Sequence, residues 1–173
     1  MNLSDHIRTI PDFPKPGIQF RDVTTLLLHS EAFAQAIDQL ATIPGEFDLV
    51  AGVEARGFIF GAAVAKALNL GFVPLRKPGK LPGEIVSQAY QLEYGTDALH
   101  VSKGLVPERS RILLVDDLIA TGGTAIAAVQ LLRRIGAEVA HAGFVVDLPD
   151  LSGATRLREL DIPVTALTSF DGH

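Results

Sequence analysis

A chain of 173 residues, 47% of them hydrophobic, has the length of one domain and can bury roughly 70% of its unfolded surface without a disulfide or a structural metal. It contains no cysteine, which excludes a disulfide scaffold, a thiolate metal site and a cysteine nucleophile. A net charge of −5 argues against a general nucleic-acid surface, no stretch reaches the roughly 18 apolar residues of a membrane span, and charges within Met1–Arg8 interrupt any apolar leader, so a cytoplasmic protein with neither nucleic acid nor membrane as partner is expected.

The first 28 residues carry three prolines within six residues, Pro11, Pro14 and Pro16, ahead of Gly17-Ile18-Gln19-Phe20-Arg21-Asp22. Prolines lack an amide donor and fix φ, so this segment predicts a stiff, extended arm that cannot be a central strand and must drape over something. Phe20 then either covers a ligand or fills the core beneath a structural hood. Ser30 is a candidate cap for a helix with Phe33, Ala34, Ile37 and Leu40 at helical spacing, ending near Pro44-Gly45. Phe47–Val53 predicts a buried strand, Glu54-Ala55-Arg56-Gly57 a turn, and Gly57–Leu68 a helix. A turn at the carboxyl end of a parallel strand is where open α/β sheets place ligands, and Arg56 offers a planar fork suited to a diphosphate. Taken alone, such an arginine is as ordinary as any surface ion pair.

Gly71–Arg76 predicts a third strand, and Arg76, Lys77 and Lys80 then place three cations within five residues. In an acidic protein that cluster is either an anion site or a solvated basic loop. From Glu84 the chain alternates without a clean polar face to Gly95 and returns through Ala98–Val101, which predicts a hairpin flap over 77–101 that stands off the main sheet. Glu93 and Tyr94 fall at its tip. A carboxylate enclosed beside a ligand would have its pKa raised by desolvation, which suits proton transfer.

Arg111–Val115 predicts a fully buried parallel strand ended by two carboxylates, Asp116 and Asp117. The loop Ala120-Thr121-Gly122-Gly123-Thr124 leads into an Ala/Leu-rich helix, so 111–135 forms a strand, an anion-cradling loop and a helix. The acidic pair would repel a bare phosphate unless a ribose diol with its metal ion lay over it. Gly136 ends that helix, Ala137–Val146 predicts another buried strand with Asp147-Leu148-Pro149 on the ligand side, Ser152 is a candidate cap for a helix to Leu160, and Ile162–Thr168 is a last strand. His141 reads as a core histidine. Strands alternating with helices give an α/β, doubly wound, mostly parallel sheet with flanking helices in a single domain over 1–173.

The Asp116-Asp117 pair followed by Ala120–Thr124 closely resembles the signature of the type I phosphoribosyltransferases, and the arm, the Glu54–Gly57 turn, the Arg76–Lys80 run and Leu92–Asp97 fall in the order of that family's adenine-using branch. The resemblance implies that Asp116 and Asp117 hold the ribose hydroxyls of phosphoribosyl pyrophosphate (PRPP) and that Ala120, Thr121, Gly122, Gly123 and Thr124 hold its 5-phosphate. It implies a cis Glu54–Ala55 peptide and a pyrophosphate site from Glu54, Ala55, Arg56, Arg76, Lys77 and Lys80. The arm over 1–28 would cover the base, with Phe20 stacking, the main chain at Gln19 and Arg21 reading its edge, and Leu148 packing on it. Glu93 would transfer the proton, Arg56 would assist catalysis and Tyr94 would belong to the flap. The implied reaction joins PRPP to adenine, giving AMP and pyrophosphate, with Mg2+ held mainly through PRPP. A homodimer would bring the basic loop near the neighbouring site. Two alternatives stay open: a 6-oxopurine acceptor, and a PRPP-sensing regulator, although such regulators usually carry an added DNA-binding segment.

Overall fold

The computed structural model describes residues 1–92 and 94–172. After a 3-10 turn, β1 (Arg8–Pro11) and β2 (Gln19–Asp22) pair as an antiparallel ribbon apart from the main sheet. Then come α1 (Thr24–Leu28), α2 (Ser30–Ala41), β3 (Leu49–Val53), α3 (Arg56–Leu68), β4 (Gly71–Leu75), and the hairpin β5 (Ile85–Gln91) with β6 (Thr96–Ser102). The chain finishes with β7 (Arg111–Ile119), α4 (Gly123–Arg134), β8 (Glu138–Asp147), α5 (Gly153–Arg158) and β9 (Val164–Ser169).

Five strands form one wholly parallel sheet in the order β4-β3-β7-β8-β9. Because a strand buried on both faces alternates its side chains between two cores, β7 splits its apolar run. Leu113 and Val115 join α2, α3 and the arm's root, including Leu26, Leu40 and Phe60. Ile112 and Leu114 join α4 and β6 on the other face, including Val129, Leu132 and Leu99. Burying such a side chain stabilises by about 1.5–3 kcal/mol, and the helices on both faces follow from that two-sided demand.

Two helix starts differ from the sequence expectation. The ring Nδ1 of His29 accepts the Ala32 amide at 3.2 Å, so His29, not Ser30, caps α2. Ser152 does precede α5, but with φ +65° and no side-chain cap bond. The hairpin forms a two-stranded sheet of its own, off the main sheet as expected, and packs on the body: Leu99 and Val101 are fully buried and Val86 and Tyr90 pack on the core that contains α4. Arg76 and His100 exchange two backbone hydrogen bonds of 2.9 and 2.8 Å, which ties the hairpin to the end of β4. His141 donates to or accepts from Thr165 Oγ1 at 2.8 Å across β8 and β9, as a core histidine should, and burial lowers its pKa.

Asp22 fastens the arm to the body. Its Oδ1 accepts the Thr24 amide at 3.0 Å and the Thr24 hydroxyl at 2.6 Å, and its Oδ2 accepts from Arg8 at 2.5 Å. Hydrogen bonds from Thr24, then Arg8, hold its pKa down at about 2 against an ordinary 3.8. A folded-state pKa below the unfolded one gives stability that is present above the unfolded value and lost as pH falls through the folded value. Asp22→Asn is therefore expected to lower Tm at pH 7, with the gap from the parent chain narrowing between about pH 4 and pH 2. A gap in thermal melts that stays constant down to pH 2 would contradict the assignment.

Candidate active site

Numbered by chain order within the sheet, the five strands run 2-1-3-4-5, so the direction of winding reverses between β3 and β7. Open α/β sheets bind ligands at the carboxyl ends of strands flanking such a reversal. Here β3 stops pairing with β7 at Gly52 and Val115, while β7 continues beside β8 to Ile119 and Asp147. The carboxylates thus lie within β7 and do not end it; the sequence reading missed this because the continued pairing comes from β8 alone. A cleft of about 290 Å³ opens there, lined by the turn after β3, by Lys77, and by the segment from Asp116 through the loop Ala120–Thr124 to Ala125.

The Glu54–Ala55 peptide in that turn is cis, as expected. Arg56 reaches across to Asp117, Nε to Oδ2 at 2.5 Å, and Asp117 is nearly buried. Asp116 accepts the Asp117 amide on Oδ1 at 2.9 Å. Burial first, then the adjacent negative charge of Asp117, raises the Asp116 pKa well above the usual carboxylate range. The pair therefore favours a neighbouring cation or a hydroxyl donor. Gly57 makes room for it, since a Cβ there would stand 2.7 Å from Asp116 Oδ1. The sequence reading used Gly57 as the end of the turn and the start of the helix and missed this.

The anion loop follows. Gly122 adopts φ +89°, which a residue with a side chain rarely does, and α4 begins at Gly123 with its amide end toward the cleft-lining loop. The basic run divides. Lys77 lines the cleft, while its Nζ donates to Tyr90 Oη and to Asp97 Oδ2, both at 2.7 Å. Burial opposes its charge, but Asp97 and Tyr90 outweigh this and its pKa is raised. Arg76 donates from Nε to Glu54 Oε1 at 2.6 Å and holds the Glu54 pKa down. Neither Arg76 nor Lys80, which is exposed, is among the cleft-lining residues. Tyr90 and Asp97, opposite each other across the hairpin, were not singled out from sequence.

A second, more apolar hollow of about 190 Å³ shares Arg56, Leu118 and Ala120 with the cleft and brings together Gln19, Phe20, Arg21 and Leu148. Leu118 and Leu151 also line it and were not foreseen. The Phe20 ring meets Phe13 edge-on with centroids 5.2 Å apart. The Arg21 side chain turns to Thr9 Oγ1 at 2.6 Å, to the Asp171 carbonyl at 3.2 Å and over the Phe170 ring at 4.5 Å. Tyr94 is 83% exposed with the Lys15 ammonium 5.8 Å from its ring centroid, which brings the tips of arm and hairpin together. Glu93 lies outside the described residues. Among the described residues no three His, Cys, Asp or Glu side chains converge on a point. Asp116 and Asp117 supply hard oxygen donors that fit Mg2+ when most of its ligands come from a phosphorylated substrate.

Fold and cleft together define a class: an α/β protein with an anion-binding loop and a carboxylate pair at the reversal point of a parallel sheet. A family model described as a phosphoribosyl transferase domain matches residues 21–167. The chain is 61% identical over 173 residues to an adenine phosphoribosyltransferase of Methylobacterium sp. strain 4-46, covering 99% of this chain and 96% of that one. It is 57% identical to one of Bradyrhizobium sp. strain ORS 278, covering 100% and 98%. The solved adenine phosphoribosyltransferase of Thermoanaerobacter pseudethanolicus superposes with a TM-score of 0.92 at 46% identity, covering 97% of this chain and 98% of that chain. The Saccharomyces cerevisiae enzyme, solved with an imino-altritol bisphosphate and adenine, gives 0.87 at 38% identity, covering 95% and 96%. The chain belongs to the phosphoribosyltransferase family, in its adenine phosphoribosyltransferase branch.

Proposed function

We propose that this chain transfers the phosphoribosyl group of PRPP to adenine, releasing AMP and pyrophosphate in purine salvage, with the cleft at the β3–β7 reversal as its active site. The observation that carries the residue assignment is the abutment of two unlike spaces, a polar cleft and an apolar hollow, on the shared residues Arg56, Leu118 and Ala120. One suits a phosphorylated sugar and the other a flat base, and the bond to be made lies where they meet. The loop Ala120–Thr124 takes the 5-phosphate through its amides and the Thr121 and Thr124 hydroxyls. Each charge-assisted bond contributes about 1.5–3 kcal/mol, more than the ~0.3–1 kcal/mol of the helix dipole.

Asp116 and Asp117 accept the ribose hydroxyls and stand beside the sugar as positive charge grows on its ring. Arg56, with the turn Glu54-Ala55, faces the diphosphate as negative charge grows there, so both ends of the breaking bond are complemented. Lys77 adds charge from the cleft wall, and Arg76 acts through Glu54 by holding the turn. Mg2+, bound through PRPP and this acidic pair, would neutralise part of the diphosphate charge. Phe20 and Leu148 sandwich the adenine, and the main chain at Gln19 and Arg21 reads its 6-amino edge. Glu93, on the hairpin with Tyr94, takes the proton released by the purine imidazole as the new bond forms. The enzyme works in the cytoplasm as a homodimer in which the exposed Lys80 serves the neighbouring site.

Calorimetric titration of PRPP with Mg2+ into the protein tests the cleft assignment. Saturable binding without adenine is expected, and no binding at millimolar PRPP would contradict it.

A further inference from the structure

Two consecutive carbonyls of the phosphate loop are held from behind by one short segment 33 to 35 residues further along. The Gly153 amide donates to the Ala120 carbonyl at 3.0 Å, and Arg156 Nη1 donates to the Thr121 carbonyl at 2.5 Å. The approach is as close as backbone allows: a Cβ on Gly153 would stand 2.4 Å from the Ala120 oxygen and 2.8 Å from the Gly122 nitrogen. The segment is itself fixed at the C-terminal end of α5. Leu157 is fully buried in the core that contains α4, and Arg133 from the end of α4 donates to the Leu160 carbonyl at 2.7 Å.

A trans peptide is planar with its C=O and the following N–H pointing in opposite directions. Fixing the carbonyls of Ala120 and Thr121 on the α5 side therefore turns the amides of Thr121 and Gly122 to the other side. Neither amide has a protein acceptor among the described residues. We infer that Arg156 is a positioning residue for the reaction, which with Gly153 aims the Thr121 and Gly122 amides at the 5-phosphate without touching substrate. This rests on the reading of Ala120–Thr124 as the phosphate loop. It assigns to α5 a part in sugar-phosphate recognition that leaves the diphosphate end untouched.

Half-ligands separate the two ends. Ribose 5-phosphate reports the loop, and pyrophosphate with Mg2+ reports Arg56 and Lys77. By calorimetry, Arg156→Ala is expected to weaken ribose 5-phosphate by about ten- to a hundredfold, the range for a charged hydrogen bond lost, and to leave pyrophosphate within about twofold. In turnover, KM for PRPP rises and kcat changes less. Arg156→Gln keeps a neutral donor and Arg156→Lys keeps the charge, so the first separates aiming from simple attraction. Recovery of most of the affinity by Arg156→Gln supports positioning. Recovery by Arg156→Lys with none by Arg156→Gln would make the effect one of charge and overturn the inference, as would equal losses for both half-ligands or an unchanged ribose 5-phosphate affinity. A parent protein that binds pyrophosphate but not ribose 5-phosphate would remove the loop assignment, and the inference with it.

Discussion

Asp117→Asn is expected to lower kcat/KM for PRPP by about a hundred- to ten-thousandfold with the fold intact. Asn has nearly the same volume, so packing in β7 is kept. The loss lies in two interactions made by one carboxylate, which accepts from Arg56 at 2.5 Å and is assigned to a ribose hydroxyl. Each charge-assisted bond contributes about 1.5–3 kcal/mol, and about 1.4 kcal/mol is tenfold in rate, which gives the stated range. Removing the negative charge also acts on Asp116, whose pKa is raised first by burial and then by Asp117. An acid limb of kcat/KM governed by Asp116 should therefore shift to lower pH in Asp117→Asn. Steady-state kinetics across pH, with a thermal melt to check folding, reads both effects. A loss below threefold, or an acid limb that moves upward, would contradict the assignment of this pair.

Glu93→Gln is the second large effect: turnover is expected to fall by about ten- to ten-thousandfold, the span for a general acid–base group, while PRPP affinity changes by less than about threefold. The separation follows from placement. The hairpin that carries residue 93 contacts the body through Lys77, Tyr90 and Asp97, and that triad is unaltered by the change. Amide for carboxylate removes the proton acceptor and keeps the shape. Single-turnover mixing with preformed PRPP complex isolates the chemical step, and full activity there would remove Glu93 from the mechanism.

The parts of the site legible in the sequence are those that one contiguous stretch builds. Strand β7, the acidic pair, the loop and α4 follow one another without a break, so their order along the chain is their order in space. The turn at Glu54–Gly57 was legible for the same reason, while its cis peptide was expected only from the family resemblance. What was not legible depends on partners far away in sequence. The continuation of β7 past the carboxylates is set by β8, and the fate of Arg76 by Glu54, a residue from the turn it was expected to assist. Gly153 and Arg156 carry no motif; their part comes from α5 folding under a loop 33 to 35 residues earlier. Local propensity also misjudged a cap, because serine usually exceeds histidine there and only the actual ring position at His29 decides.

The central claim is that one chain joins a phosphorylated sugar in the cleft to adenine in the adjoining hollow. Purified protein with PRPP and Mg2+, incubated separately with adenine, hypoxanthine, guanine and xanthine and read by chromatography, tests it directly. AMP and pyrophosphate in equal amounts from adenine, with little or no product from the three oxopurines, is the expected result. Turnover of an oxopurine in preference to adenine would contradict the base assignment to Gln19, Phe20, Arg21 and Leu148, and tight PRPP binding with no nucleotide formed from any purine would contradict the activity itself.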